Sequence, residues 1–178
     1  MLNLSDKFNC YQHAQARNDS STRPWLRTKK ETTPEEQQAW WENLDNDHTK
    51  RYWCVTDESL VVGLVGFTDI IVSTEAEFSC LIYPEFRKQG YGEKALRLLF
   101  DYGFKFMGLK RIYGWTYGYD FDLKMEQTVI NPAMKLFEKI GMEIYGPCIY
   151  PETKEKLDVG QYVWRLEMQR YNYERINA

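Results

Sequence analysis

Histidine is scarce, with His13 and His48 the only two, and the four cysteines Cys10, Cys54, Cys80 and Cys148 lie far apart without a C-x-x-C pair. That removes the usual zinc-site spacing and any disulfide framework, so no metal is expected. Cys54 and Cys80 fall in strand-like runs and read as small buried hydrophobes. No apolar run approaches the roughly 20 residues that cross a bilayer. The opening Met1-Leu2-Asn3-Leu4-Ser5-Asp6 has no basic segment leading into an apolar one, so a soluble, cytoplasmic protein is expected, with no membrane partner. Positive charge is not in excess: Lys and Arg number 23 against 26 Asp and Glu, a net charge of -3, which argues against nucleic acid as a partner. No G-x-x-x-x-G-K-S/T loop and no internal repeat occurs, excluding a Walker-type NTPase and a solenoid.

What is present suits a packed domain. At 178 residues and 43% hydrophobic, the chain can bury a sizeable core, expected as a single domain over residues 1–168 with a frayed tail at 169–178. Phe8 to Ser20 reads as a short helix running into a loop. Thr33-Pro34-Glu35-Glu36 is a helix start, with Thr33 as cap, Pro34 at the first helical position and acids in the first turn. Trp40, Trp41 and Leu44 are that helix's expected buried contacts. Arg51 to Val55 and Leu60 to Phe67 alternate as a hairpin turning at Asp57-Glu58-Ser59. Further strands are expected at Glu77–Tyr83, Arg111–Tyr117, Glu143–Gly146 and Gln161–Leu166. A helix should open at Asn131-Pro132, with Asn131 as its cap, and Gly118–Ile130 and Pro151–Val159 should be loops or, for the former, a short helix.

The stretch Arg87-Lys88-Gln89-Gly90-Tyr91-Gly92 carries the most chemistry. Before it, Phe78, Cys80 and Ile82 share one strand face and Glu77, Ser79 and Leu81 the other. After it, Ala95, Leu96, Leu99, Phe100, Phe104 and Met107 recur at helical spacing. Glycines at such a junction let the backbone approach a ligand and leave the first helical N–H groups free to hold an anion, most simply a phosphate. A plain tight turn explains the glycines equally well at this stage. Gly90-Tyr91-Gly92-Glu93-Lys94-Ala95 also matches G-x-G-x-x-G/A. Its context is wrong for a dinucleotide fold, because six residues separate the strand from the glycines and positions 110 to 119 hold no acid.

The loop resembles the Q/R-x-x-G-x-G/A pyrophosphate loop of the GNAT superfamily of acyl-CoA N-acyltransferases. The upstream Tyr83-Pro84-Glu85 and the downstream Lys135-Leu136-Phe137-Glu138-Lys139-Ile140-Gly141-Met142 are similar to that family's strand-Pro-x-x-R and L-Y-E-K-x-G-F patterns, in the same order. Arg17-Asn18-Asp19 and Pro34 to Trp40 resemble openings of the branch holding ribosomal-protein and amino-sugar-nucleotide acetyltransferases. The resemblance implies an α/β (α+β) fold: a GNAT-type mixed, mostly antiparallel central sheet flanked by helices on both faces, with a splayed strand pair at the CoA site. It implies an acetyl-CoA-dependent N-acetyltransferase acting on a primary amine, an amino-sugar nucleotide or similar small molecule first and a peptide amine second, with a homodimer as an admitted assembly. A non-catalytic acyl-CoA-binding module and a nucleotide-dependent oxidoreductase are the rival classes.

Carried over residue by residue, the resemblance implies that the acetyl-CoA site is lined by Leu81, Ile82 and Tyr83 on the splayed strand, by Arg87, Lys88, Gln89, Gly90, Tyr91 and Gly92 in the loop, and by Asn131 and Phe137. The general base must lie within hydrogen-bond reach of the amine. Glu77 is the first candidate, Glu75 and Asp69 the next. Where many relatives carry a tyrosine as acid this chain has Phe137, which has no proton to give, so either another tyrosine such as Tyr117 or Tyr119 substitutes, or water protonates the thiolate, or catalysis is weak. Trp25, Arg27 and Trp41 or Trp40, with the basic Arg23, Lys29 and Lys30, are read either as a wall for an anionic, stackable substrate or as core and solvated loop.

Overall fold

Alternation builds one sheet. In the computed structural model, which describes residues 2–120, 128–148 and 161–177, its strands are β1 (Leu2–Ser5), β2 (Arg51–Asp57), β3 (Leu60–Ile71), β4 (Glu75–Ile82), β5 (Arg111–Asp120), β6 (Thr128–Ile130), β7 (Glu143–Cys148) and β8 (Gln161–Gln169). Their order is β1-β2-β3-β4-β5-β8-β7, with β6 paired to β5 beside that path. Neighbours run antiparallel except β4 and β5, which are parallel because helix α3 (Tyr91–Asp101) carries the chain across between them. Helices α1 (Cys10–Asn18) and α2 (Pro34–Glu42) pack on one face of the sheet, where Trp40 meets Tyr52 edge-on and His13 lies against Tyr83. The other face carries α3, α4 (Met134–Lys139) and α5 (Arg170–Ile176), with Phe78, Phe100, Phe104, Phe137 and Tyr173 in one core. This is the mixed, mostly antiparallel sheet with helices on both faces that the sequence predicts.

Thr33 caps α2 in a full capping box with Glu36, as its residue types require. The helix after the glycine loop departs from expectation. It is α-helical only to Asp101 and widens into a π turn over Tyr102–Phe106. The wider turn sets Gly103 against the sheet, where an added Cβ would lie 2.8 Å from Phe67 Cζ and 3.0 Å from Ile112 Cδ1. Both neighbours are fully buried. Gly103→Ala is therefore expected to destabilise the protein by about 2 kcal/mol through overpacking, lowering the Tm by about 4–8 °C; an unchanged melting curve would show that the turn relaxes freely.

Three expectations are corrected. Residues 169–177 are not a frayed tail. Gln169 ends β8, and α5 buries Asn172 and Tyr173, whose hydroxyl donates to the Arg97 carbonyl at 3.2 Å. The aromatic rings of Phe100 and Phe104 supply the apolar surface that orders it. Asn131 does not cap α4: its Oδ1 accepts the Ala133 N–H at 2.9 Å in an Asx turn, and the helix starts at Met134. Gly118–Asp120 and Thr128–Ile130, expected in a loop, are paired strand ends. Residues 121–127 and the Pro151–Val159 loop lie outside the described residues.

Candidate active site

The parallel pairing of β4 and β5 covers only Glu75↔Arg111, Ala76↔Ile112 and Glu77↔Tyr113. Beyond Glu77, β4 stays with β3 and β5 stays with β8, while β6 meets β5 again only from Gly118. Among the described residues, an unpaired slot thus opens between Phe78–Ile82 and Gly114–Tyr117. The Phe78 ring sits at its head: a Cβ on Gly114 would fall 2.4 Å from it, so glycine is what lets β5 pass. Strand alternation decides which backbone groups line the slot. The Tyr83 N–H donates to the Val62 carbonyl at 3.0 Å, so the odd-numbered residues turn toward β3 and Phe78, Cys80 and Ile82 turn toward the slot. The backbone contacts expected from Leu81 and Tyr83 therefore fall to Cys80 and Ile82, and the buried Tyr83 side chain points away to His13.

The slot leads to the glycine loop. Lys88 (φ 60°) and Gly90 (φ 83°) both take the left-handed conformation, which folds the chain back before α3. Gly90 has no side chain to cap α3, whose first backbone bond runs from Lys94 N–H to the Gly90 carbonyl. No backbone partner within the chain takes the N–H groups of Tyr91, Gly92 and Glu93 among the described residues. A row of free donors at a helix start is what a phosphate group requires. The slot and loop thus fit acetyl-CoA: Cys80 and Ile82 would hold its pantetheine arm and Gly90 to Gly92 its pyrophosphate. Bound there, it supplies the acetyl group as an activated thioester.

Arg87 has other work. Its guanidinium donates to the Ile82 carbonyl at 2.9 Å, to Ser21 Oγ at 2.8 Å and to Thr22 Oγ1, tying the end of β4 to the loop after α1 rather than reaching into the glycine turn. Gln89 donates to the Glu85 carbonyl at 3.0 Å and the Tyr91 hydroxyl to Asp57 at 2.9 Å, so both brace the loop by their side chains.

Glu77 stands at the last paired position before the slot opens, and it is buried. Its Oε1 accepts from Arg27 Nη2 at 2.6 Å. From β3, the Asp69 carboxyl acts on it as a second negative charge. The β3–β4 register slips between Thr68 and Ile71, and the bulged Asp69 adopts φ 49°, a conformation Asp tolerates better than most residues. Burial pushes the Glu77 carboxyl above the usual range; Arg27 pulls it down and Asp69 adds to the rise. A carboxylate so placed can accept a proton from an amine near neutral pH. Glu75, the second candidate, is held instead in an ion pair with Arg111.

The wall residues part company. Trp25 lies in a short 3-10 turn (Arg23–Trp25) that approaches β5, in the same loop as Arg27. Trp41 stacks on Phe8, with ring centroids 4.4 Å apart, in the aromatic packing between α1 and α2. Arg23 pairs with Glu31, Lys30 with Glu36, and Lys29 donates to the carbonyls of Pro24 and Leu26 at 2.6 Å. Phe137 is buried edge-on to Phe78, 5.6 Å between centroids, as apolar packing beside the slot. Tyr117 belongs to β5 opposite Val163, and Tyr119 follows it in the same strand opposite Gln161. One group escaped sequence reasoning altogether: the buried Thr116 hydroxyl has no hydrogen-bond partner among the described residues. Only the β5 register, invisible in composition, brings Thr116 to the slot.

A family model for the acetyltransferase (GNAT) domain matches residues 5–117. The spermidine N(1)-acetyltransferase of Escherichia coli K12 is 26% identical over 141 residues, 79% of this chain and 70% of that protein. Among solved structures, spermidine N-acetyltransferase from Vibrio cholerae in complex with CoA and spermine superposes with a TM-score of 0.75 at 20% identity, over 98% of this chain and 97% of that one. A structure of the Vibrio cholerae enzyme in complex with manganese ions gives 0.70 at 19% identity, over 100% and 96%.

Proposed function

The chain belongs to the GNAT acetyltransferase family, whose co-substrate is acetyl-CoA, and from that premise we propose that it acetylates a primary amine of a small aliphatic polyamine, with Glu77 as the general base. The observation that carries the reading is the buried Glu77 carboxylate at the last paired position before the slot opens. An aliphatic amine arrives protonated at neutral pH. Glu77 accepts its proton, and the freed lone pair attacks the thioester carbonyl. The acetyl carbon then bonds to nitrogen as its bond to sulfur breaks, and the proton still surplus on nitrogen is released to water. The departing thiolate is that of an ordinary thiol, stable enough to leave before taking a proton from water, so Phe137 in the family's tyrosine position is compatible with turnover.

Two lines support a cationic acceptor over an amino-sugar nucleotide. The relatives above bear the names of spermidine acetyltransferases. The loop cations that would have to hold a nucleotide diphosphate are engaged within the chain, Arg23 with Glu31, Arg27 with Glu77 and Lys30 with Glu36. A carboxylate pair, Glu77 and Asp69, lies beside them and suits ammonium groups better. Thiol release from acetyl-CoA with spermidine, a simple diamine, an amino-sugar nucleotide and a short peptide checks this. At least tenfold higher kcat/KM with spermidine or the diamine is expected; the fastest turnover on the sugar nucleotide or the peptide would overturn the substrate class. Binding of CoA with no turnover on any amine would overturn the catalytic reading itself.

A further inference from the structure

Arg27 engages Glu77 in a manner that the acetyl-transfer chemistry alone does not require. We propose that Arg27 is a positioning residue for the reaction, its guanidinium holding the Glu77 carboxylate in the orientation and charge state in which it receives the amine proton. The inference rests on the reading of Glu77 as base.

The loop that delivers Arg27 is built to hold it. Asn18 closes the loop's base with a reciprocal pair, donating from Nδ2 to the Thr32 carbonyl at 2.7 Å and accepting the Thr32 N–H at 2.9 Å. Gln37 reaches back from α2 to Thr32 Oγ1 at 2.8 Å. Inside the loop, Lys29 binds two carbonyls and Arg23 binds Glu31. Outside it, Arg87 joins Ser21 and Thr22 to the end of β4. None of these contacts uses the Arg27 side chain. The loop is thus tied at several points besides Arg27, whose guanidinium reaches Glu77.

The groups around Glu77 come from four elements. Arg27 faces it from the loop, Asp69 from the β3 bulge, Tyr52 from β2, and Tyr113 stands beside it in the β5 register. Tyr52 is half-buried, and its desolvation holds the phenol above its ordinary range, so it stays neutral throughout the working pH. Arg27 is then the positive charge in direct contact with a carboxylate that burial and Asp69 both push toward its protonated form. Without it, Glu77 stays protonated to higher pH and cannot accept a proton where the wild type can. The ion pair is also half open to water on the arginine side, which lets an incoming ammonium approach the same carboxylate.

A base works only when deprotonated, so activity is lost as pH falls through the Glu77 pKa. Removing Arg27 removes an influence that lowers that pKa, so the acidic limb must move to higher pH. The test measures kcat/KM against pH for wild type, Arg27→Gln, Arg27→Lys and Glu77→Gln, with acetyl-CoA and the best amine of the panel. CoA affinity and melting temperature are recorded for each. Arg27→Gln should raise the limb by about one pH unit, the low end for a carboxylate beside a guanidinium, with CoA affinity unchanged, and Arg27→Lys should return it to within a few tenths. A limb left at its wild-type position, whether or not kcat/KM falls uniformly, would reduce Arg27 to a structural contact and overturn the inference. A rise in kcat/KM across the whole range would overturn it too, since Arg27 would then be a competitor of the substrate. If Glu77→Gln keeps the limb, the base reading falls first and takes the inference with it; if Glu77→Gln loses the limb while Arg27→Gln leaves it in place, the inference alone fails.

Discussion

Glu77→Gln should lower kcat/KM for the amine by about a hundredfold to a thousandfold near neutral pH, within the range that a positioned general base contributes. The substitution keeps shape and hydrogen-bonding capacity while removing the proton acceptor. The loss should come with a change of profile. In the wild type, burial holds the Glu77 carboxyl above its ordinary range despite Arg27, so the acidic limb lies above that of an ordinary glutamic acid. In the variant that limb should vanish. What remains should rise with pH only as the free amine does. CoA affinity should hold within about twofold, because the Glu77 side chain lies on the α1–α2 face of β4 and the phosphate donors lie past its far end at Tyr91 to Glu93. A parallel profile shifted down uniformly, or no loss, would move the base to Asp69 or to water.

Glu77 was legible because strand parity is local. With Phe78, Cys80 and Ile82 assigned to the core face, Glu77 had to be on the other, and the register confirms that division through Phe78 packing on Phe100. The glycine loop was legible for the same kind of reason: Gly90 sits at a strand-to-helix junction and takes φ 83°, a local requirement that residue type reports. Arg87 was not, because its partners Ser21 and Thr22 lie more than sixty residues away and nothing in the loop itself announces them. The role of Arg27 is of the same kind. Its loop reads as a basic surface, yet each of its cations finds a partner in the folded chain, and the pairing with Glu77 spans fifty residues. The C-terminal helix failed for a subtler reason. Residues 169–177 are polar in composition, and the contacts that order them, Tyr173 on Phe100 and Ile176 against Gly141 among them, require knowing where α3 and α4 stand.

Gly92→Asp should abolish acetyl-CoA binding, and pairing it with Gly92→Ala separates charge from bulk. A Cβ at Gly92 would stand 3.0 Å from Leu136 Cδ2 and 3.8 Å from Ile82 Cγ1. The first is the far end of a flexible side chain, able to give by a few tenths of an ångström. Gly92 also lies in the first turn of α3, where alanine is intrinsically the better helix former. Bulk and propensity thus oppose each other, and Gly92→Ala should change both stability and CoA affinity by less than about 1 kcal/mol. The aspartate adds a charge beside the helix start. In the empty protein that charge is welcome, since it complements the dipole and the free N–H groups of the first turn, by about 0.3–1 kcal/mol. Against a bound pyrophosphate the same charge is costly. Two unit charges about 4 Å apart at an effective dielectric of about 20 repel by roughly 4 kcal/mol, and the aspartate competes for the very donors the phosphate needs. The variant should therefore melt no lower than Gly92→Ala yet bind CoA at least a hundredfold more weakly, which titration calorimetry and a melting curve read independently. Equal CoA affinity in the two variants would remove the pyrophosphate from this loop; loss of folding in both would instead mean that Leu136 cannot yield.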